Sequence, residues 1–232
     1  MASTPWVLWL LLSLAIIAFL VLGGRNLIRA CEAANEADWG GKWPNRLDGL
    51  NRIFCRRFHR LLTRKIALPA TGGVLVAANH CSGLDPLLLI ASCQRPLRFM
   101  IAREQYDRWW IYWLFKTLGM IPVERTTNSQ RSLYVARAAV EAGEVIAVFP
   151  HGGIHKIGDP FRPKRGIAVL AGMTGAPIYP IRVSGIRAQG FTVFAVFIRS
   201  RARVEGGPPL YCKYGEAKAC LLNLAGRLEA KG

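Results

Sequence analysis

Gly73-Val74-Leu75-Val76-Ala77-Ala78-Asn79-His80-Cys81-Ser82-Gly83-Leu84-Asp85-Pro86 changes its hydrophobic period partway along. An apolar run from Val74 to Ala78 reads as a strand. A polar, glycine-bearing turn follows, and a helical apolar pattern opens at Pro86. Asp85 before Pro86 reads as an N-cap with proline at the first helical position. The same stretch puts His80 at the strand-to-helix junction with a carboxylate five residues on. Imidazole titrates near neutral pH, and a carboxylate on its second nitrogen fixes the tautomer, so the pair also reads as a general base with an orienting partner. Both readings of Asp85 stand at this point.

Working outward, the strand-then-helix rhythm repeats. Strand-like runs occur at 73–79, 97–102, 120–124, 145–150, 177–183 and 192–199, with helical patterns at 86–93, 104–118, 129–142 and 166–174. Asn128 or Ser129 serves as an N-cap for the third of these helices and Gly143 as its stop. Alternation of this kind predicts an α/β fold, a mixed, largely parallel sheet flanked by helices. The near-continuous run Val145-Ile146-Ala147-Val148-Phe149 predicts a central strand buried on both faces. Sites on such sheets lie at strand ends, and His80, Arg125, His151 and the Ile178-Tyr179-Pro180 segment all follow or end strand candidates.

The ends of the chain carry different information. The 232 residues are 52% hydrophobic with a formal net charge of +17, which calls for an anionic partner. Residues 1–24 contain no charged side chain, and 6–22 are almost wholly apolar, enough for a membrane-associated helix or helical hairpin. A cleaved signal peptide fits poorly, because no Lys or Arg precedes the run. Arg25, Arg29, Lys42 and Arg46 follow it and place the main domain on the cytoplasmic face of the membrane. An apolar anchor beside this charge favours membrane lipids over nucleic acid as the partner. The expected organisation is an anchor over 1–24, a connector and basic amphipathic helix over 25–69, and the α/β domain over 70–232. The basic helix is expected at 47–65, with Arg52, Arg56, Arg57, Arg60, Arg64 and Lys65 on its charged face; a bilayer-facing role and a plain solvated face are both open. Six cysteines show no metal spacing, and no disulfide is expected in a cytoplasmic domain. Cys81 beside His80 invites a Cys–His nucleophile reading, but sequence neighbours seldom point at one another.

Four segments in order resemble the glycerolipid acyltransferase family, typified by 1-acylglycerol-3-phosphate acyltransferases. His80 and Asp85 match its Asn-His-x4-Asp block. Gly119-Met120-Ile121-Pro122-Val123-Glu124-Arg125 matches its second. Phe149-Pro150-His151-Gly152-Gly153 stands where the third usually reads Phe-Pro-Glu-Gly-Thr. Ala176-Pro177-Ile178-Tyr179-Pro180-Ile181 is similar to the fourth, an apolar strand around proline. The resemblance implies that His80 deprotonates a lipid hydroxyl as it attacks a thioester, with Asp85 holding the ring and no covalent acyl-enzyme. It implies acyl-CoA or acyl carrier protein as donor, a lysophospholipid such as 1-acylglycerol-3-phosphate as acceptor, and no cofactor. It implies substrate contacts at Arg103, Gly119, Arg125, His151, Gly152 and Lys164 or Arg165. Arginine's planar fork suits the acceptor phosphate. The third block departs from the pattern, since His151 cannot supply the fixed negative charge of the usual glutamate.

Two other function classes compete. A metal-dependent hydrolase would use His80, Asp85, His151, His155 and Asp159, although Gly152 and Gly153 between the later histidines argue against an HExxH-like helix. A non-enzymatic, membrane-anchored basic binding module would use the charge alone and leaves the four-block order unexplained.

Overall fold

The computed structural model describes residues 5–63, 66–124, 129–155 and 162–229. Along the chain run helices α1 (Pro5–Ala34) and α2 (Lys42–Arg57), strands β1 (Leu62–Thr63) and β2 (Val74–Ala78), then α3 (Asp85–Ser92) and β3 (Leu97–Ala102). Two short helices, α4 (Arg103–Tyr106) and α5 (Tyr112–Thr117), lead to β4 (Ile121–Val123), α6 (Ser129–Glu141) and β5 (Val145–Val148). The chain continues through α7 (Gly166–Thr174), β6 (Ile178–Ser184), α8 (Phe194–Phe197), β7 (Arg203–Gly206) and α9 (Ala217–Glu229).

The strands form one sheet in the order β1-β7-β6-β2-β5-β3-β4. Its pairings are parallel except β6 with β7. The expected mixed, largely parallel sheet is therefore present. β2 lies at its heart, with Ala77 opposite Val148 of β5 and Ala78 opposite Ile181 of β6. Side chains alternate across a strand, and both faces of β2 are covered. Val74, Val76 and Ala78 join the core beneath α3, while Leu75 and Ala77 join the core beneath α6, α7 and α9. The helix after β2 and the helix before β5 lie on opposite faces. The carboxyl ends of β2 and β5 consequently border the crevice where such sheets place their sites.

Several boundaries differ from expectation. α1 runs unbroken past Gly24 and Arg25 to Ala34, so the connector shrinks to 35–41. α2 starts and ends earlier than 47–65, and Gly49 forms its crossing with α1; a Cβ there would sit 1.8 Å from the Cys31 carbonyl oxygen. Its basic face is not wholly solvated. Arg52 is fully buried, with Nε 2.6 Å from Asp48 and Nη2 donating to the Cys93 carbonyl at 2.6 Å, and this ties α2 to the end of α3. Arg56 pairs with Glu36. Arg64 and Lys65 lie outside the described residues.

The single helix expected at 104–118 is broken between α4 and α5. Trp109 there is 88% exposed, and without packing a helix of this length gains too little to stay continuous. The strand expected at 192–199 is instead a loop containing α8, because β7 occupies the ladder beside β6 that a strand there would need. The expectation of no disulfide is also overturned. Cys212 and Cys220, with Cα atoms 5.5 Å apart, are bonded and fasten the start of α9.

Candidate active site

β2 delivers its last residues to the crevice, and Asn79 fixes how. Its side-chain nitrogen donates to the Val183 carbonyl at 2.8 Å, and its side-chain oxygen accepts the Val183 N–H at 2.7 Å. The amide thus extends the β2–β6 pairing by one rung where the strand itself stops. His80 follows with its ring stacked on Phe149, centroids 4.0 Å apart and planes 15° apart. Its backbone carbonyl accepts the His155 N–H at 2.7 Å, which brings the third sequence block onto the first.

His80 Nδ1 lies 2.9 Å from Asp85 Oδ2. That oxygen also accepts the Cys81 N–H at 2.6 Å and the Ser82 N–H at 2.9 Å, and the Ser82 hydroxyl donates to Oδ1 at 2.9 Å. The Asp85 side chain is fully buried, whereas that of His80 stays 16% exposed. A buried carboxylate needs such a full set of donors. The N-cap reading of Asp85 gives way: the helix makes no side-chain cap bond there, and the carboxylate turns back onto the loop before α3. With Nδ1 donating to Asp85, the lone pair of His80 sits on Nε2, the nitrogen that can take a proton. Among the described residues nothing bonds to Nε2.

The surroundings of Cys81 disfavour a nucleophile's role. Burial and the neighbouring Asp85 push its thiol up to about 11, and its sulfur accepts from the Asn79 amide at 3.0 Å. Gly83 is required by the next layer of the loop. A Cβ there would lie 2.2 Å from the Thr192 carbonyl oxygen, and its N–H donates to Phe191.

The remaining expected site residues separate into three groups. His151 and Gly152 follow β5 on the same edge as His80. The His151 and His155 rings are 3.5 Å apart between centroids. Gly152, at φ +77°, leaves room for Lys164, whose Nζ would be 2.8 Å from a Cβ at that position. The Lys164 N–H donates to the Pro150 carbonyl at 2.8 Å, and Arg165 starts α7 beside it. Arg103 also sits on this edge, just after β3, but its guanidinium is engaged by Asp107 at 2.7 Å and approaches Glu124 at 4.0 Å. Gly119 precedes β4 and therefore lies at the opposite edge. There it packs on Arg98 and lines a cavity of about 370 Å³ with Trp39, Arg95 and Glu144. Arg125 and Asp159 lie outside the described residues. Among the described residues, no three His, Cys, Asp or Glu side chains converge as a metal-binding group.

Two positioning residues, Ser82 and Asn79, were not read as part of the site. A polar amide ending an apolar strand was the signal for Asn79. Nothing in the sequence distinguished Ser82 from an ordinary loop serine.

A family model described as Acyltransferase matches residues 60–184. Among curated proteins, the chain is 26% identical over 119 residues to the 1-acyl-sn-glycerol-3-phosphate acyltransferase of Bacillus subtilis (strain 168), covering 51% of this chain and 59% of that protein. It is 31% identical over 122 residues to the probable 1-acyl-sn-glycerol-3-phosphate acyltransferase of Mycoplasma pneumoniae, covering 48% of this chain and 44% of that one. The chain thus spans about half the length of the curated relatives it matches. Among solved structures, the 1-acyl-sn-glycerophosphate (LPA) acyltransferase PlsC from Thermotoga maritima shares the fold, with a TM-score of 0.64 over 97% of both chains at 19% identity.

Proposed function

The chain belongs to the acyltransferase family, and from that premise we propose that it moves a fatty acyl group from a thioester to the hydroxyl of a lysophospholipid. The acceptor class is that of 1-acylglycerol-3-phosphate, which the names of the curated relatives support. The observation that carries the reading is the buried Asp85 carboxylate on His80 Nδ1 at the carboxyl end of the central strand. His80 Nε2 takes the acceptor hydroxyl proton as that oxygen attacks the thioester carbonyl. The new C–O bond forms, the C–S bond breaks, and the imidazolium returns its proton to the departing thiolate. Asp85 holds the tautomer and balances the imidazolium charge, the role a carboxylate plays behind a catalytic histidine.

The acceptor phosphate needs cations within reach of His80. Lys164, held against Pro150 and Gly152, and the neighbouring Arg165 are proposed for that role together with Arg125. Arg103 is proposed as an outer member whose charge is already shared with two carboxylates. His151 in place of a glutamate removes a negative charge from the third block, which favours an acceptor rich in phosphate charge. Acyl-CoA or acyl carrier protein is the proposed donor, and no cofactor enters the reaction. The product class places the enzyme in phospholipid synthesis or remodelling.

Membrane attachment is proposed through α1. Its apolar stretch is long and apolar enough to cross a membrane and is not buried in the protein. At about 1.5 Å per residue, a helix of this length reaches across a hydrocarbon core. The domain is proposed to face the cytoplasm, on the strength of the basic residues that follow the apolar stretch. Protease digestion of sealed inverted membrane vesicles reports the side, and a domain protected there would reverse the assignment.

The direct test is acyl transfer from both donor types to a panel of lysolipids by the full-length protein. Transfer lost in His80→Ala, with membrane incorporation intact, is the expected outcome. Transfer by His80→Ala at near the native rate would remove the mechanism.

A further inference from the structure

The loop between β6 and β7, residues 185–202, does two things on two sides, and neither is used by the mechanism. One side touches the catalytic loop: Gly190 N–H donates to the Cys81 carbonyl at 2.8 Å, and Gly83 N–H to the Phe191 carbonyl at 3.0 Å. The other side collects positive charge. Arg187, Arg199 and Arg201 of this loop, with Arg60 three residues past the end of α2, line a pocket of about 230 Å³ together with Ser200. Among the described residues, no carboxylate pairs with any of these four guanidinium groups.

Main-chain bonds assemble the pocket from distant segments. Ala202 N–H donates to the His59 carbonyl at 3.1 Å, Arg201 N–H to Gly185 at 3.3 Å, and Arg187 N–H to the buried Ser200 hydroxyl at 3.2 Å. Arg60 takes φ +47°, a left-handed conformation that a non-glycine residue holds only when its surroundings over-determine it. Four like charges brought together by rigid backbone repel one another unless an anion lies among them. Arginine's planar fork is the side chain suited to a phosphate.

The anion's source is given by the neighbours. Phe191, Phe194 and Phe197, on and beside α8, are 57%, 60% and 70% exposed. His59, buried beneath them, meets the Val196 carbonyl at 3.1 Å and seats α8 next to Arg60. Exposed aromatic rings bordered by arginines form the amphipathic pattern of an interfacial anchor: rings enter the acyl boundary and guanidinium groups meet the headgroups. An acidic protein would satisfy the charges and leave the rings in water. We propose that the Arg60–Arg187–Arg199–Arg201 pocket binds the phosphate of an anionic membrane lipid and seats α8 in the bilayer surface. This second membrane contact is separate from α1 and from the acceptor site, and it is linked by two main-chain bonds to the loop holding His80. The inference rests on the membrane-bound reading given above.

The test uses the full chain in nanodiscs of phosphatidylcholine alone or of phosphatidylcholine with phosphatidylglycerol. Amide hydrogen exchange is followed over 190–198. Incorporation into either disc reports α1, and acyl transfer reports the catalytic reading, so neither can be confused with this readout. Extra protection of 190–198 in the phosphatidylglycerol discs is expected. High salt should remove it, and Arg187→Gln with Arg199→Gln should weaken the docking equilibrium on the order of 30-fold, from two interfacial cations at about 1 kcal/mol each. Phe194→Ser with Phe197→Ser, which keeps every charge, should also lose it. Equal exchange in the two discs would overturn the proposal. So would protection produced by acyl carrier protein on phosphatidylcholine discs, or by inorganic phosphate in detergent.

Discussion

Replacing Asp85 with asparagine separates what the carboxylate does for the fold from what it does for the chemistry. Oδ2 accepts from His80 Nδ1 and from the Cys81 and Ser82 N–H groups, and Oδ1 accepts from the Ser82 hydroxyl. An asparagine that turns its oxygen toward the first three keeps those bonds. Its amide then faces Ser82, whose hydroxyl can rotate to accept. The His80 tautomer and the loop therefore survive, and only the negative charge is lost. With Nδ1 and Oδ2 2.9 Å apart, the imidazolium and carboxylate charge centres lie about 4 Å apart, worth about 4 kcal/mol at an effective dielectric constant of ~20. At about 1.4 kcal/mol per decade, kcat falls on the order of 10³-fold while the KM for the lysolipid stays near native. Initial rates of thiol release from the acyl thioester, measured alongside the thermal midpoint of each variant, provide the assay. A loss below about tenfold, or one appearing only in KM, would show that Asp85 does not balance charge on His80. A large fall in thermal midpoint would show that the asparagine does not preserve the loop.

Three further outcomes follow from the geometry. Asn79→Ala strands the buried Val183 N–H and carbonyl and should cost about 3 kcal/mol, lowering the thermal midpoint by about 10 °C. Cys81→Ala should leave the rate within about threefold of native, and alkylation of Cys81 in the native protein should be slow, because burial pushes its thiol up to about 11. His59 is held below the usual imidazole range by burial, partly offset by the Val196 carbonyl. The unfolded chain therefore binds the extra proton. Stability should be complete above about pH 6.5 and fall as pH drops below it, and His59→Gln should flatten that slope in thermal melts.

The sheet was legible because its strands are short, apolar and separated by helices of a different period. Residues 97–102 and 166–174 match β3 and α7 at both ends, and β2, β5 and β6 differ by a residue or two. Beyond residue 199 the signal weakened. β7 has a single fully buried side chain, Val204, and pairs antiparallel at the far side of β6, so it shows neither an apolar run nor clean alternation. The buried Arg52 was misread for a similar reason. Helical spacing reports that a residue shares a face with other arginines, not that Asp48 and the Ala91 and Cys93 carbonyls await it on that face. At the site, His80, Asp85 and the 149–152 segment were legible from their order along the chain. Gly119 was misplaced, because a motif spanning a whole strand has residues at both edges of the sheet, and Gly119 stands at the edge away from His80 with Gly143 and Glu144.

The Asn-His-x4-Asp segment is best understood as one folded unit with a division of labour. Asn79 replaces a rung of the ladder, so β2 can end without leaving Val183 unpaired. The chain is then free to turn, and the turn presents the Cys81 and Ser82 N–H groups to Asp85 from the loop side. Those two donors let a carboxylate stay fully buried beside a histidine that keeps one edge open. Gly83 provides the close approach to Thr192 that packs the β6–β7 loop against the turn. The intervening positions therefore constrain the site as firmly as the two residues that carry the chemistry. Gly83→Ala tests this view, since it alters no group proposed to meet substrate. If the segment is one unit, the displaced backbone should lower kcat and loosen exchange at 81–83 together. Loss of thermal stability with kcat unchanged would mean that the loop packing serves the fold alone.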